Sequence, residues 1–298
     1  MLTRRAFAKF SLLPLVGGFS IEAGGPAVTG DRGFSKLEEA LAKIELESSG
    51  RLGVAVLDLE SGTQAGHRAY ERFPMCSTFK ALTAAAVLAR VDAGKEQLDR
   101  RVAVVQSDIL AYAPATKQHV GGDGMSIAEL CEAAVTLSDN TAANLLLRSM
   151  GGPSAITDYA RSLGDQITRL DRIEPDLNEA TPGDERDSTT PFALATDLQA
   201  LAVGVALSVA SREQLIAWLV GCKTGDAKLR AGLPKDWKVG DKTGSGNHGS
   251  SNDVAVIWPA GRKPLIITSY LTETEASDDQ RNATHAAVGR AVAEMAVG

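Results

Sequence analysis

The stretch STFKALTAAAVLARVDAG, residues 77–94, marks the point where the pattern of the chain changes from strand to helix. Its apolar residues recur at helical spacing, and Gly94 is a residue type that commonly ends helices. Ser77 and Lys80 stand three residues apart, so on a helix they share a face and the Lys80 amine can reach the Ser77 hydroxyl. The same residues also fit an ordinary helix start with Ser77 as the N-cap, and S-x-x-K alone does not separate the two interpretations.

Strand patterns lie on both sides of this helical region. Residues 51–69, RLGVAVLDLESGTQAGHRA, predict two strands joined by a turn, after a helix over residues 34–47. The segments WKVGDKTGSG, NDVAVIWP and PLIITSYLTE predict three late strands, and their short connections favour antiparallel pairing. We therefore predict an α/β protein of the α+β type: an antiparallel five-stranded sheet built from the N- and C-terminal segments and flanked by helices, with an inserted all-helical domain.

This pattern also suggests how the chain divides into domains. We assign residues 28–72 and 222–298 to the sheet domain and residues 73–221 to the all-α domain, and we expect the active site between them. A final helix follows the last strand, with Ser277 as its N-cap.

The first residues of the chain differ from the rest. A basic segment, TRRAFAKF, precedes a short apolar run, SLLPLVGGFSI, which is typical of a signal peptide and too short for a membrane span. The pair Arg4-Arg5 is typical of twin-arginine leaders, and a plain Sec leader is the alternative. We assign residues 1–27 to this leader and expect a periplasmic protein without stable membrane association.

Composition excludes several classes of function. The 298 residues are 44% hydrophobic, the net charge is −6 and the basic residues are scattered, so nucleic acid is not expected as a partner. Three widely spaced cysteines and four separated histidines give no metal-binding motif. GSGNHG, residues 244–249, matches the dinucleotide fingerprint, but a strand follows it where a helix is required. We expect neither a metal nor another cofactor.

Three further polar clusters lie where the periodic patterns stop. SDN, residues 138–140, interrupts two helical patterns, and its ordinary interpretation is an N-cap for the second helix. DKTGSG, residues 241–246, ends a strand, and its ordinary interpretation is a hairpin edge with a solvated lysine. DRIEPDLNEATPGDERD, residues 171–187, has no periodicity, and its charges favour an ordered, functional loop.

In this order, S-x-x-K, S-D-N and K-T-G are the signature of class A serine β-lactamases and penicillin-binding proteins. The chain resembles the class A β-lactamases from about Phe34 to its end, including the E-P-x-L-N segment of the loop. The resemblance implies the serine β-lactamase/D,D-peptidase fold. It also implies hydrolysis of the β-lactam amide bond of penicillins and cephalosporins through an acyl-enzyme, which gives resistance to these antibiotics.

The resemblance assigns roles to the catalytic groups. Ser77 is the implied nucleophile, and the backbone N–H groups of Ser77 and Ser245 form the implied oxyanion hole. Ser138 is implied to protonate the departing lactam nitrogen, while Lys80 and Lys242 set the local potential and ease proton movement.

The long loop is implied to carry the groups for deacylation. Glu174, with Asn178, holds and activates the attacking water, and the acylation base is left open between Glu174 and the lysine of S-x-x-K. The loop is implied to be closed by an Arg172–Asp187 salt bridge and by a cis peptide before Pro175.

Substrate binding is also assigned by resemblance, and the small-molecule β-lactam is expected to contact Tyr112, Asn140, Asn178, Thr243, Ser245 and Lys228. Tyr112 resembles the aromatic wall at the mouth of the site, and Asn140 is expected to meet the substrate amide. Many members carry a carboxylate-binding Arg where this chain has Ser251; Lys228 is the expected replacement, with Arg281 as a weaker candidate.

The cysteines depart from the disulfide patterns of some relatives. Carbapenem-hydrolysing relatives pair the cysteine before the nucleophile with a second one two residues past K-T-G. Here Cys76 is present but the second position is Gly246, and the expected partner position of Cys131 holds Ala84. We therefore predict three free thiols, and from resemblance a monomer. A D,D-peptidase and a β-lactam sensor share several of these motifs, but neither requires the deacylating pair of Glu174 and Asn178.

Overall fold

The computed structural model describes residues 30–297, with side chains from Ser35 onward, so the predicted leader lies outside the described residues. The helices within this range are α1 (Gly30–Ser48), α2 (Phe79–Asp92), α3 (Ile127–Thr136), α4 (Asn140–Met150), α5 (Ser154–Ser162), α6 (Pro191–Ala202), α7 (Val209–Val220), α8 (Leu229–Gly232) and α9 (Asp278–Val297). The strands are β1 (Arg51–Asp58), β2 (Thr63–His67), β3 (Phe73–Pro74), β4 (Arg101–Val102), β5 (Met125–Ser126), β6 (Ser188–Thr189), β7 (Lys238–Ser245), β8 (Ser251–Trp258) and β9 (Leu265–Thr272). In this part of the chain, no helix has both the length and the apolar character needed to cross a membrane.

Five strands form one sheet in the order β2-β1-β9-β8-β7, and every neighbouring pair is antiparallel. The predicted antiparallel sheet built from N- and C-terminal segments is therefore confirmed. Strand β9 comes from the end of the chain but lies between β1 and β8, and all its residues are buried.

Alternate residues of the strands face two separate cores, as the two-residue period of a strand requires. Val54 and Val56 of β1 pack in the core that includes the apolar residues of α1 and α9. Ala55 and Leu57, on the opposite face, pack in the larger core formed with the central helices. The predicted helix-spaced stripe of α1 lies in the first of these cores and consists of Leu37, Leu41 and Ile44.

Helix α2 is the buried centre of the helical layer. Residues 79–88 are all buried, and the helix packs against α3, α4, α5 and α7, which its alanines allow to approach closely. The alternative interpretation of Ser77 as the N-cap of this helix is wrong, because residues 76–78 form a 3-10 turn and α2 begins at Phe79. At the other end, α2 stops at Asp92, and Gly94 has the predicted left-handed conformation with φ +67°.

A two-residue ladder fastens the long loop to the segment before the nucleophile candidate. Strand β3 pairs with β6, and the Met75 N–H donates to the Asp187 carbonyl at 2.9 Å. Such short strands have no period that could be read from sequence. Their effect is to fix the loop's end relative to the start of α2.

Helix α6 contains a buried carboxyl group, that of Asp197, which is 1% exposed. Burial raises the pKa of Asp197 to about 9, and the charge of Asp165, with which it shares a hydrogen bond, acts in the same direction. Asp197 therefore holds its proton at neutral pH.

We expect Asp197→Asn to stabilise the protein, and to do so more at pH 8 than at pH 5. The unfolded carboxyl ionises near pH 4 while the folded one stays protonated to about 9, so stability falls across this window. The slope is at most about 1.4 kcal/mol per pH unit. Asparagine cannot ionise, and its amide can still donate to Asp165.

Thermal unfolding at the two pH values tests this, with Asp226→Asn, at an exposed position, as the control. Equal shifts in unfolding temperature at pH 5 and pH 8 would mean that Asp197 is already ionised in the folded protein.

Candidate active site

The Ser77 hydroxyl lies between a carboxylate and an amine. It donates to Glu174 Oε1 at 3.1 Å and accepts from Lys80 Nζ at 2.9 Å. Lys80 is fully buried and Glu174 is 1% exposed, whereas Ser77 is 8% exposed and lies at the edge of the cluster. The predicted proximity of Ser77 and Lys80 is therefore confirmed, and Glu174 joins them from the distant loop.

Lys80 is surrounded by acceptors. Its Nζ donates to the Ser138 carbonyl at 2.8 Å and to Asn140 Oδ1 at 2.7 Å, and it forms a buried ion pair with Glu174 Oε1 at 3.0 Å. Burial lowers the pKa of Lys80 to about 8, and the Glu174 carboxylate opposes this effect. The amine is therefore mainly protonated at neutral pH.

The S-D-N segment joins α3 to α4, and its three side chains point in different directions: Asp139 caps α4, whereas Ser138 and Asn140 contact the lysines of the site. Ser138 has φ +58°, and its hydroxyl accepts from Lys242 Nζ at 3.1 Å. Asp139 is the N-cap of α4 and also accepts the backbone N–H groups of Ala115 and Thr116. The N-cap interpretation is thus correct for Asp139. The residues on either side of it face the site.

Strand β7 carries the K-T-G segment past the start of α2. The Lys242 side chain is fully buried, its Nζ also donates to the Thr243 carbonyl at 2.7 Å, and burial lowers its pKa. Gly244 lies so close to the preceding segment that a Cβ there would be 2.8 Å from the Met75 carbonyl oxygen. A glycine is therefore needed for β7 to bring Thr243 and Ser245 to the site. The predicted strand after GSGNHG is present as β8.

The long loop is closed as predicted. Arg172 Nε donates to Asp187 Oδ2 at 2.5 Å, and the Glu174-Pro175 peptide is cis. Asp187 also accepts the backbone N–H groups of Asp171 and Arg172, at 2.8 and 2.9 Å. Within the loop, Asn178 Nδ2 donates to Glu174 Oε2 at 2.5 Å.

Asn144 is a positioning residue that the sequence did not indicate. Its Oδ1 accepts the Glu174 N–H at 2.9 Å and its Nδ2 donates to the Glu174 carbonyl at 2.8 Å. The available signal was its place in α4, one turn after Asn140, where it shares a helix face with a candidate site residue. This pair of hydrogen bonds holds the backbone of Glu174 in place.

Lys228 reaches the position where the resemblance places an arginine. Its Nζ donates to the Ser251 hydroxyl at 2.6 Å, and burial lowers its pKa. Arg281, the weaker candidate, instead pairs with Asp278 and donates to the Ala276 carbonyl at the start of α9. Of the two cations, Lys228 is the one in contact with Ser251.

The remaining predicted residues lie around the rim or in the core. Tyr112 is 50% exposed, and its carbonyl accepts the Asn140 N–H at 3.0 Å. All three cysteines are free and buried, which confirms the prediction. Gly246 packs against Cys76, since a Cβ at Gly246 would lie 2.7 Å from its sulfur.

A serine hydroxyl held between a carboxylate and an ammonium, with a second serine–lysine pair facing it, is equipped for acyl transfer. On an antiparallel sheet covered by a helical layer, this site defines the serine β-lactamase and D,D-peptidase class of proteins.

Comparisons with known proteins narrow this class. The model of the β-lactamase enzyme family matches residues 36–296. β-Lactamase CTX-M-8 of Citrobacter amalonaticus is 48% identical over 258 residues, covering 87% of this chain and 88% of its own length. β-Lactamase L2 of Stenotrophomonas maltophilia is 46% identical over 312 residues, covering both chains completely.

Among solved structures, an ancestral class A β-lactamase matches with a TM-score of 0.85 and 63% identity, covering 87% of this chain and 99% of its own. The chain belongs to the β-lactamase enzyme family and is a class A serine β-lactamase, which hydrolyses β-lactam antibiotics and gives resistance to them.

We expect Asp187→Asn to destabilise the protein and to lower kcat. The change removes one charge of a nearly buried ion pair, which costs about 2–4 kcal/mol, and it loosens the loop that carries Glu174. Thermal unfolding and steady-state kinetics measure the two effects.

The control is Asp176→Asn, which makes the same chemical change at an exposed position of the same loop. If both variants behaved alike, the Arg172–Asp187 pair would not be what holds the loop.

Proposed function

We propose that Ser77, Lys80, Ser138, Glu174 and Lys242 carry out β-lactam hydrolysis in two steps, acylation of Ser77 and release by water. The observation that supports this most strongly is the continuous contact from Lys80 Nζ through Ser77 Oγ to Glu174 Oε1, at 2.9 and 3.1 Å.

In acylation, Ser77 Oγ attacks the lactam carbonyl carbon while its proton passes to Glu174. Glu174 is favoured as the base because the hydroxyl already donates to it, whereas Lys80 is protonated and donates to Ser77. The backbone N–H groups of Ser77 and Ser245 stabilise the oxyanion. When the C–N bond breaks, Ser138 gives its proton to the nitrogen. The proton that Glu174 accepted returns to Ser138 through Lys80 Nζ, which contacts both groups, while Lys242 Nζ lies beside Ser138. Glu174 is thereby a carboxylate again.

In deacylation, Glu174 acts as general base again. It removes a proton from a water that it holds together with Asn178, and the water oxygen attacks the acyl carbon. The bond to Ser77 Oγ breaks, Ser77 Oγ takes up the proton that Glu174 removed from the water, and the product leaves as the ring-opened acid. Asn144 supports this step because it fixes the backbone of Glu174.

Substrate recognition uses groups on both sides of the site. Asn140 Oδ1 accepts a hydrogen bond from Lys80 Nζ, so the amide hydrogens of Asn140 are left to donate to the acylamino carbonyl of the substrate. Thr243 and Ser245 hydrogen-bond the substrate carboxylate beside Lys242, and Lys228 adds a positive charge behind Ser251. Tyr112 forms an apolar wall at the mouth.

Export and organisation are further parts of the proposal. The Arg4-Arg5 leader directs the folded chain to the periplasm by the twin-arginine route, where it acts as a monomer. Three free, buried thiols fit folding before export. Residues 28–72 and 222–298 form one domain and residues 73–221 the other, with the site at their junction.

We expect the purified mature protein to turn over a chromogenic cephalosporin without a lasting adduct, and Glu174→Ala to accumulate an acyl-enzyme. Without the carboxylate, the pKa of Lys80 falls further, so neutral Lys80 can accept the Ser77 proton and acylation continues. Turnover should drop by about 10²–10⁴-fold because the deacylating base is lost.

Intact mass spectrometry and absorbance on the same samples test this, with Glu185→Ala, an exposed carboxylate of the same loop, as control. A stoichiometric adduct on wild-type Ser77 without turnover would mean a sensor or a peptidase. A Glu174→Ala variant that turned over normally would remove Glu174 from the mechanism.

We expect Lys228→Met to raise KM for carboxylate-bearing substrates by roughly tenfold with little change in kcat, because a charge-assisted contribution to binding is lost. Methionine has a similar shape and no charge. Steady-state kinetics measure the effect, and Lys223→Met, at an exposed position, is the control. An unchanged KM would show that the carboxylate is held without Lys228.

A further inference from the structure

Cys222 has no part in the mechanism above, yet its side chain is connected through that of Thr224 to Thr243 on the substrate-binding strand β7. It follows α7 and is 3% exposed. Its sulfur is 3.3 Å from Thr224 Oγ1, and Thr224 Oγ1 is 2.5 Å from Thr243 Oγ1. A thiol and two hydroxyls therefore form a short chain that ends at the proposed carboxylate contact.

Each of the three groups has one proton to donate, so the chain has a direction. Burial raises the pKa of Cys222, which keeps it a thiol with an S–H donor at neutral pH. The thiol is both a weak donor and a weak acceptor, whereas hydroxyl oxygens accept well, so the chain that runs from the thiol to Thr243 uses a hydroxyl oxygen as the acceptor at each step. For these reasons the thiol is better placed as the donor to Thr224 than as the acceptor from it.

The direction matters when an anion binds. For the Thr243 hydroxyl to donate to a carboxylate, its hydrogen must point into the site, and its oxygen can then accept from Thr224. The Thr224 oxygen in turn accepts from Cys222. In the opposite direction, the Thr243 hydrogen would point at Thr224 and away from the substrate.

We propose that Cys222 is a positioning residue for substrate binding: acting through Thr224, its thiol orients the Thr243 hydroxyl toward the substrate carboxylate. Cys222 itself does not touch the substrate. The inference rests on the proposed role of Thr243 in carboxylate binding.

The test compares Cys222→Ala, which removes the donor, with Cys222→Ser, which keeps one in a side chain of similar size. We expect Cys222→Ala to raise KM for a cephalosporin about twofold to fivefold with kcat within about twofold, since one modest hydrogen bond is lost. Cys222→Ser should return KM to near the wild-type value. With the methyl ester of the same cephalosporin, which lacks the anion, Cys222→Ala should leave KM unchanged.

Thr224→Val interrupts the chain at its middle. It should raise KM for the acid, and adding Cys222→Ala to it should cause no further increase, because the thiol acts through Thr224. Independent, multiplying effects of the two changes would overturn the inference. So would equal KM values for Cys222→Ala and Cys222→Ser, which a packing role alone predicts.

Thr243→Val separates this inference from the proposed function. If it leaves KM for the acid unchanged, the carboxylate role of Thr243 is wrong. If it raises KM while Cys222→Ala and Thr224→Val do not, the carboxylate role stands and the positioning role of Cys222 is wrong. Should Cys222→Ala fold poorly, Thr224→Val and Cys222→Ser still test the direction of the chain.

Discussion

The buried ion pair of Lys80 and Glu174 is the interaction on which the site depends. Two opposite charges without exposure to solvent are costly to bury unless each is paired and hydrogen-bonded, and here each is. Lys80 donates hydrogen bonds to the Ser77 hydroxyl, the Ser138 carbonyl and the Asn140 amide oxygen. Glu174 accepts hydrogen bonds from Ser77 and Asn178. The pair therefore specifies where the surrounding polar groups must lie.

Much of the scaffold exists to bring these two charges together. Lys80 is placed by α2, the buried helix, whereas Glu174 belongs to a loop without regular structure. The loop is fastened at its ends by the Arg172–Asp187 pair and the β3–β6 ladder, and at Glu174 by Asn144. A polar loop of this length would otherwise be flexible. Each attachment restrains it with a defined hydrogen bond or ion pair.

The sequence was sufficient to predict the helices and strands that show a periodic pattern of apolar residues, and the motifs that occur in a known order. Alternating and helix-spaced residues predicted the five-stranded sheet, α1 and α2, and resemblance supplied the cis peptide and the loop salt bridge. Features made by contact between distant residues had no local signal. Asn144 looks like any polar helix residue, and β3 and β6 are too short for a pattern. The start of α2 was misplaced because Cys76 takes φ +45°, which the residue type does not suggest.

The place of β9 has a consequence for how the protein is made. This strand, Leu265–Thr272, is synthesised after the other four strands of the sheet, yet it pairs with both β1 and β8. Until it appears, the hairpin of β1 and β2 has no neighbour on its inner edge, and the core between the sheet and α1 cannot close. All five strands must therefore have been synthesised before the native sheet can form, and a chain cut short ahead of Leu265 leaves two open strand edges exposed to aggregation.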